Sequence, residues 1–203
     1  MKKLLLSTFL VGMALTSVAH ADGTRQNPWQ IRGRIIDVIP QEDSSTSIGG
    51  DVEVSTRVDP ELDISYFFTD NIAAELILAT TKHNMKHSSG ADLGSAYILP
   101  PTLTVQYHFT PDQKFSPYVG AGLNYSMFYG EDTAAGFNDL DVDGGVGYAL
   151  QAGFDYWIDD HWGANLDVKK IFLNVDAELN NGAVTADVDL DPVIVGAGVS
   201  YRF

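Results

Sequence analysis

Val193-Ile194-Val195-Gly196-Ala197-Gly198-Val199-Ser200-Tyr201-Arg202-Phe203 is the stretch on which the fold turns. Val193, Val195, Ala197, Val199, Tyr201 and Phe203 fall on one face. Ile194, Gly196, Gly198, Ser200 and Arg202 fall on the other. A period of two is a strand, because successive side chains point to opposite faces of a sheet. One face is apolar throughout, and the other mixes small, polar and charged residues.

The same alternation recurs in seven segments upstream: 29–38, 60–68, 72–80, 101–109, 117–129, 146–158 and 162–171. In 101–109, Leu103, Val105, Tyr107 and Phe109 oppose Thr102, Thr104, Gln106 and His108. In 162–171, Trp162, Ala164, Leu166 and Val168 oppose Asn165, Asp167 and Lys169. Three connections are short and turn-like: Thr69-Asp70-Asn71, Thr110 to Lys114, and Asp159-Asp160. Four are long and polar and read as loops: 39–57, 82–98, 130–144 and 174–190. Short turns at one end and long loops at the other are the layout of an eight-stranded antiparallel transmembrane β-barrel of the outer-membrane type. The short turns and both chain ends then lie in the periplasm.

A soluble sandwich or lipocalin-like barrel also alternates. Ring placement argues against it. Trp29, Tyr66, Phe68, Tyr107, Phe109, Tyr156, Trp162, Tyr201 and Phe203 all lie on the apolar face near the short turns, as an interfacial girdle requires. That face also lacks charge except for Lys170. Near the loop end of its strand, Lys170 can snorkel towards water.

The first residues read as an export signal. Lys2 and Lys3 precede an apolar run to Val18 that ends in Ala19-His20-Ala21, a small-x-small cleavage site. Residues 1–21 are therefore expected to be removed, with 22–203 forming the barrel. The whole chain carries 12 basic and 27 acidic residues, a net charge of −15. Such a surface argues against nucleic acid as a partner, since phosphate binding needs clustered Lys and Arg. There is no cysteine, so stability must come from backbone pairing and apolar burial.

Two stretches carry a family resemblance. Leu99-Pro100-Pro101-Thr102-Leu103-Thr104 leads into Gln106-Tyr107-His108-Phe109, and Pro117-Tyr118-Val119-Gly120-Ala121-Gly122-Leu123-Asn124-Tyr125 follows. With Leu166-Asp167-Val168-Lys169 and the C-terminal strand, the mature chain resembles the outer membrane protein W (OmpW) family. The resemblance implies a narrow, partly hydrophobic interior. It further implies inward passage of small hydrophobic molecules and their sideways release through a gap in the wall. It places the protein in the bacterial outer membrane, among lipid and lipopolysaccharide. The terminal Phe203 is then the aromatic that the barrel insertion machinery reads.

The inward face supplies the candidate site. An eight-stranded barrel leaves an interior that side chains can just fill. Arg32, Arg34, Glu75, Asp155 and Arg202 are expected to form a polar plug low in the barrel, with Glu61, Asp63, Asp167 and Lys169 nearer the loops. Buried charges of both signs should pair. Ile36, Phe67, Ile77, Tyr118, Phe128, Trp157 and Ile194 share that face and are expected to line a channel. Pro100 and Pro101 lack ladder donors and must interrupt pairing, which is where a lateral gap could form.

Metal and catalytic signals are weak. Asp139-Leu140-Asp141-Val142-Asp143-Gly144 opens like a calcium loop, but position twelve is Leu150 rather than Glu. His83 and His87 have zinc spacing only on a helix, and no third ligand is near. No serine elbow, nucleotide loop or HExxH is present. The expectation is a non-enzyme without a cofactor. Two readings remain open: a channel for small hydrophobic molecules, or a closed structural barrel that presents acidic loops to envelope or host partners.

Overall fold

The computed structural model describes residues 27–41, 43–47, 49–134 and 140–203. The expected leader over 1–21 and Asp139 lie outside them. In chain order the strands are β1 (Trp29–Ile39), β2 (Asp43–Thr46), β3 (Val52–Val54), β4 (Arg57–Phe67), β5 (Ile72–Ala79), β6 (Thr81–His87), β7 (Asp92–Leu99) and β8 (Thr102–His108). They continue as β9 (Phe115–Thr133), β10 (Leu140–Val142), β11 (Gly145–Trp157), β12 (Trp162–Phe172), β13 (Asn174–Leu179), β14 (Val184–Asp189) and β15 (Val193–Arg202).

Eight of these close the barrel, every neighbour antiparallel, in the order β11-β12-β15-β1-β4-β5-β8-β9, with β9 pairing back to β11. The C-terminal strand holds its place on both edges, with Val199 opposite Gly33 on β1 and Ala164 on β12. The outward rows are Ile35, Leu62, Leu76, Leu103, Val105, Leu123, Leu150, Leu166, Val168, Val195 and Val199, all exposed. Eleven bare aliphatic side chains on one surface suit acyl chains rather than water. At the short-turn end the rings interlock: Trp29–Tyr66 centroids are 4.9 Å apart, Trp162–Tyr201 4.8 Å and Tyr201–Phe203 4.9 Å.

The four long connections are not loops along their length. They contain strands β2, β3, β6, β7, β10, β13 and β14. The β6–β7 hairpin extends the wall beside β9, and β10-β13-β14-β2 form a separate four-stranded sheet at the same end. Their Asp, Asn, Ser and Gly content reads as loop, yet they alternate with the opposite chemistry. Val175 and Val188 point inward and are buried, while Asp176, Asp187 and Asp189 point out and are exposed. In the lipid zone the apolar face is outside; beyond it the apolar face is inside. Apart from register shifts at Met85/Lys86 and Ser95/Tyr97 the pleat continues, and the solvent of the outer face changes from lipid to water.

Candidate functional site: an apolar chamber above a polar plug

The inversion of chemistry sets the site. Moving up the inward face of β1 from the short-turn end, Gln30, Arg32 and Arg34 give way to Ile36 and Val38. On β12, Asn165, Asp167 and Lys169 give way to Ile171, with Leu173 just past the strand's end. All ten are buried. The lumen is therefore polar in its lower half and apolar in its upper half.

The lower half is one hydrogen-bonded layer. Arg32 donates from Nη2 to Asp155 at 2.7 Å, from Nη1 to Ser65 at 3.0 Å, and from Nη1 to Glu75. Its guanidinium carbon lies 4.9 Å from the centroid of the Tyr118 ring. Arg34 donates to Asn165 at 2.6 Å, Asp63 at 2.5 Å, Glu61 at 3.1 Å and the Tyr118 hydroxyl at 3.0 Å. The Tyr118 hydroxyl donates in turn to Asp167 at 2.7 Å, and Lys169 closes the layer on Glu61 at 2.6 Å. Arg32, Arg34, Glu75 and Asp155 thus meet in one network. Glu61, Asp63, Asp167 and Lys169 join them in one layer rather than standing apart nearer the loops.

Three glycines make room for these long side chains. A Cβ at Gly196 would stand 3.2 Å from Arg34 Cδ, and one at Gly120 3.2 Å from Gln106 Cγ. A Cβ at Gly153 would sit 2.5 Å from the Tyr118 hydroxyl oxygen.

Four expected site residues lie elsewhere. Arg202 is outside the network: it is half-buried at the short-turn rim, donates to the Asp160 carbonyl at 2.7 Å and stacks over Trp157 at 4.2 Å. As the last strand residue it has only the turn to meet. Phe67 and Trp157 are buried beneath the charged layer, Phe67 packing on His108 at 4.9 Å between centroids. Tyr118 belongs to the polar layer through its hydroxyl. These three rings close the bottom of the barrel instead of lining a channel, because they lie at the short-turn ends of β4, β11 and β9.

Above the layer Ile36, Ile77, Phe128 and Ile194 do line a cavity of about 100 Å³. Its walls also include Val38, Val54, Ala79, Ala96, Ile98 and Val175, and Glu61 and Lys169 lie at its floor. A second cavity of about 170 Å³ follows towards the outer end, walled by Leu93, Leu140, Leu179 and Val184. The two share Val52, Met85 and Ala177. Reading 39–57, 82–98 and 174–190 as loops hid most of these residues. Continuing the inward parity through the polar stretches finds most of them, though not Leu93, which lies past the register shift at Ser95/Tyr97.

Beside the lower cavity the wall is incomplete. The β5–β8 ladder ends at Ile77 opposite Thr102, and the β6–β7 ladder resumes in the same register at Thr81 opposite Ile98. Leu78, Ala79 and Thr80 face Pro101, Pro100 and Leu99 with no ladder pairing among them. The prolines cannot donate. The Pro100 carbonyl is taken instead by Asn124 Nδ2 at 3.1 Å and the Thr102 hydroxyl at 3.0 Å. On the other side Tyr125 donates to the Pro101 carbonyl at 3.0 Å, so β9 stays attached. Ala79 and Pro100 both line the cavity.

Among the described residues no group of three or more His, Asp or Glu converges to hold a metal. Asp141 and Asp143 point outward beside the buried Leu140 and Val142, as a strand dictates. His83 and His87 bond separately, to the Ser55 and Gly49 carbonyls.

This geometry has relatives. The family model for the OmpW family matches residues 26–203. The uncharacterized outer-membrane protein y4mB of Sinorhizobium fredii is 53% identical over 184 residues, covering 87% of this chain and 80% of that one. Outer membrane protein W of Vibrio cholerae is 33% identical, covering 96% and 97%. The crystal structure of OprG from Pseudomonas aeruginosa superposes with a TM-score of 0.83 at 28% identity, covering 89% of this chain and 98% of that one. The protein lies in the bacterial outer membrane, and the chain belongs to the OmpW family of eight-stranded transmembrane barrels.

Proposed function

We propose that this barrel is a passive channel for small hydrophobic molecules, which enter between the outer hairpins and leave sideways into the membrane. The observation that carries this reading is the apolar chamber: two cavities with shared walls, floored by a charged layer and flanked by a break in the wall. The floor argues against a straight path. Three cations and five carboxylates hydrogen-bonded together leave no greasy route downwards, and dragging an apolar molecule through them would strip paired charges of their partners. The break at Leu78–Thr80 offers a route that meets no charge. An apolar molecule gains by leaving water for the chamber and loses little by passing from the chamber to acyl chains. No energy source is needed.

The test is uptake. Intact cells carrying the protein are expected to take up N-phenyl-1-naphthylamine, a small uncharged hydrophobic dye, faster than cells without it. Equal rates would reject the channel.

The second reading is a closed barrel whose acidic outer sheet holds a basic partner. It draws on like charges set directly opposite one another: Asp176 with Asp187, Asp189 with Asp43, and Asp141 with Glu178. Such pairs destabilise a sheet on their own. Unchanged dye uptake together with salt-sensitive capture of a polylysine probe would favour it.

A further inference from the structure

The wall break is bridged on its outer side by side chains, and this bridge deepens the lateral-release reading on which it rests. Thr80 points outward at the junction of β5 and β6, opposite Leu99. Tyr129 on β9 is paired with Tyr97 on β7. The Tyr129 hydroxyl crosses β7 to reach Thr80 Oγ1 at 2.6 Å. Thr80 donates to the Ile98 carbonyl at 3.3 Å, which leaves its oxygen to accept from Tyr129. The Tyr129 ring stacks on Tyr97, 5.3 Å between centroids with planes 18° apart. One turn of the pleat higher, Lys82 repeats the tie from β6 to β9 through Asp132 at 2.9 Å, its ammonium 5.0 Å from the Tyr97 centroid.

We propose that the Tyr129–Thr80 hydrogen bond is the latch of the lateral exit. Elsewhere in the barrel neighbouring strands are held by ladder bonds, which open only when strands unzip. Here the ladder is missing, and what holds β5–β6 to the β7–β9 side at the break is side-chain bonding by Thr80, short to Tyr129 on β9 and longer to the Ile98 carbonyl on β7. Leu78 and Pro101 cannot separate widely while Thr80 stays tied to Tyr129. A single neutral hydrogen bond contributes modestly to net stability, so it can open and close at ambient temperature. The Lys82–Asp132 pair is water-exposed and holds more weakly. Tyr97 supplies the flat surface on which the Tyr129 ring can turn aside without losing its stacking.

The test uses the full-length protein in intact cells with the same dye. Tyr129→Phe keeps the ring and its stacking and removes the bond; Thr80→Val removes it from the other end. Tyr129→Phe is expected to raise the uptake rate about fivefold, the factor for one net hydrogen bond, and Thr80→Val at least as much, since it also loses the bond to the Ile98 carbonyl. The double variant is expected to go no faster than Thr80→Val alone, which already removes the Tyr129 bond together with the Thr80 bond to the Ile98 carbonyl. A third variant, Leu78→Cys with Pro101→Cys, locks the break with a disulfide in a chain that has no other cysteine. It is expected to stop uptake when oxidised and to restore it on reduction. If the lock stops uptake while both single variants run at the parent rate, the latch is wrong and lateral release stands. If the oxidised lock changes nothing, lateral release fails and the latch falls with it.

Discussion

Asp155 clasps Arg32 at two points: Nη2 donates to Oδ2 at 2.7 Å and Nε to Oδ1 at 3.2 Å. Both residues are wholly buried and sit on strands that are not neighbours, β1 and β11, so the clasp ties the lumen across rather than along the sheet. Ser200 on β15 adds a hydroxyl to Asp155 at 2.5 Å. Asp155→Ala leaves Arg32 with Glu75 and Ser65 alone and exposes a charge-bearing void. The expected cost is about 3–5 kcal/mol, as for a buried pair broken on one side. Replacing Glu75 and Asp155 together by Gln and Asn is expected to cost less than the sum of the single changes, because both act on the same guanidinium. Urea unfolding in lipid, or the temperature at which the compact gel band is lost, measures both. Unfolding indistinguishable from the parent would mean that the layer does not hold the barrel.

The barrel strands were legible because lipid demands an uninterrupted apolar row, and β15 supplies one from Val193 to Tyr201. The strands beyond the lipid were illegible for the converse reason. In 174–179, Val175, Ala177 and Leu179 alternate as cleanly as any barrel strand. Their partners Asp176 and Glu178, however, face water, and a polar outer face resembles a loop. The charged layer was legible as a set of inward charges that had to pair. Its height was not, since the position of Arg34 against Asp63 and Tyr118 depends on registers that no local pattern fixes. The depth of Trp157 and Phe67 is hidden on the same ground. An inward aromatic is a channel lining or a stopper according to its depth alone.

Gly198 and Gly33 pair diagonally across β15 and β1 and make a matched comparison. A Cβ at Gly198 would run into the backbone of Gly33 and Arg34, whereas one at Gly33 meets nothing within 4 Å. Gly198→Ala is expected to force β1 and β15 apart and to destabilise the barrel by about 1–3 kcal/mol. Gly33→Ala places a methyl on the lipid face and is expected to be neutral or mildly stabilising, since glycine weakens a strand interior. Equal stability of the two variants would show that the close approach carries no weight.

His83 gives the outer extension a dependence on pH. It lies on β6, where the outward residues are Lys82, Asn84 and Lys86, so this strand stands in water beyond the lipid. Burial pushes its pKa below the usual histidine value and Arg57 adds to that. The bond to the Ser55 carbonyl and the charge of Asp59 work the other way. A depressed histidine pKa means that the unfolded segment takes up a proton before the folded one does. Stability of the β3–β6 edge is therefore full above the unfolded pKa of about 6.5 and falls as the pH drops below it, levelling off only below the folded value. Amide exchange at Asn84 and Ser55, corrected for its intrinsic pH dependence, is expected to quicken between pH 7 and pH 5. His83→Gln should remove the change. A flat profile in the parent would contradict the assignment.

Ala177 borders both cavities, together with Val52 and Met85. An indole there is expected to block the chamber without touching the charged layer below. Ala177→Trp should insert and run as a compact barrel, yet bring dye uptake down to the level of cells lacking the protein. Undiminished uptake through a correctly inserted variant would move the path outside these cavities.

Pro100 and Pro101 test the wall break directly. Opposite them Leu78, Ala79 and Thr80 continue the register of both flanking ladders, so the strands are already aligned for pairing. What is missing across the break is the donor at Pro100. Pro100→Ala supplies an N–H opposite Ala79, where a new ladder bond across the break is expected to form; the N–H added by Pro101→Ala faces β9, as the Pro101 carbonyl does, and serves as the matched control. The barrel should then unfold at a higher urea concentration, because paired backbone inside lipid is worth more than unpaired. Dye uptake should fall, because the exit has been stitched shut. The two measurements move in opposite directions only if the prolines hold the wall open. Uptake that stays at the parent rate while stability rises would reject the break as the exit. Stability that falls would show that the prolines serve to begin β8.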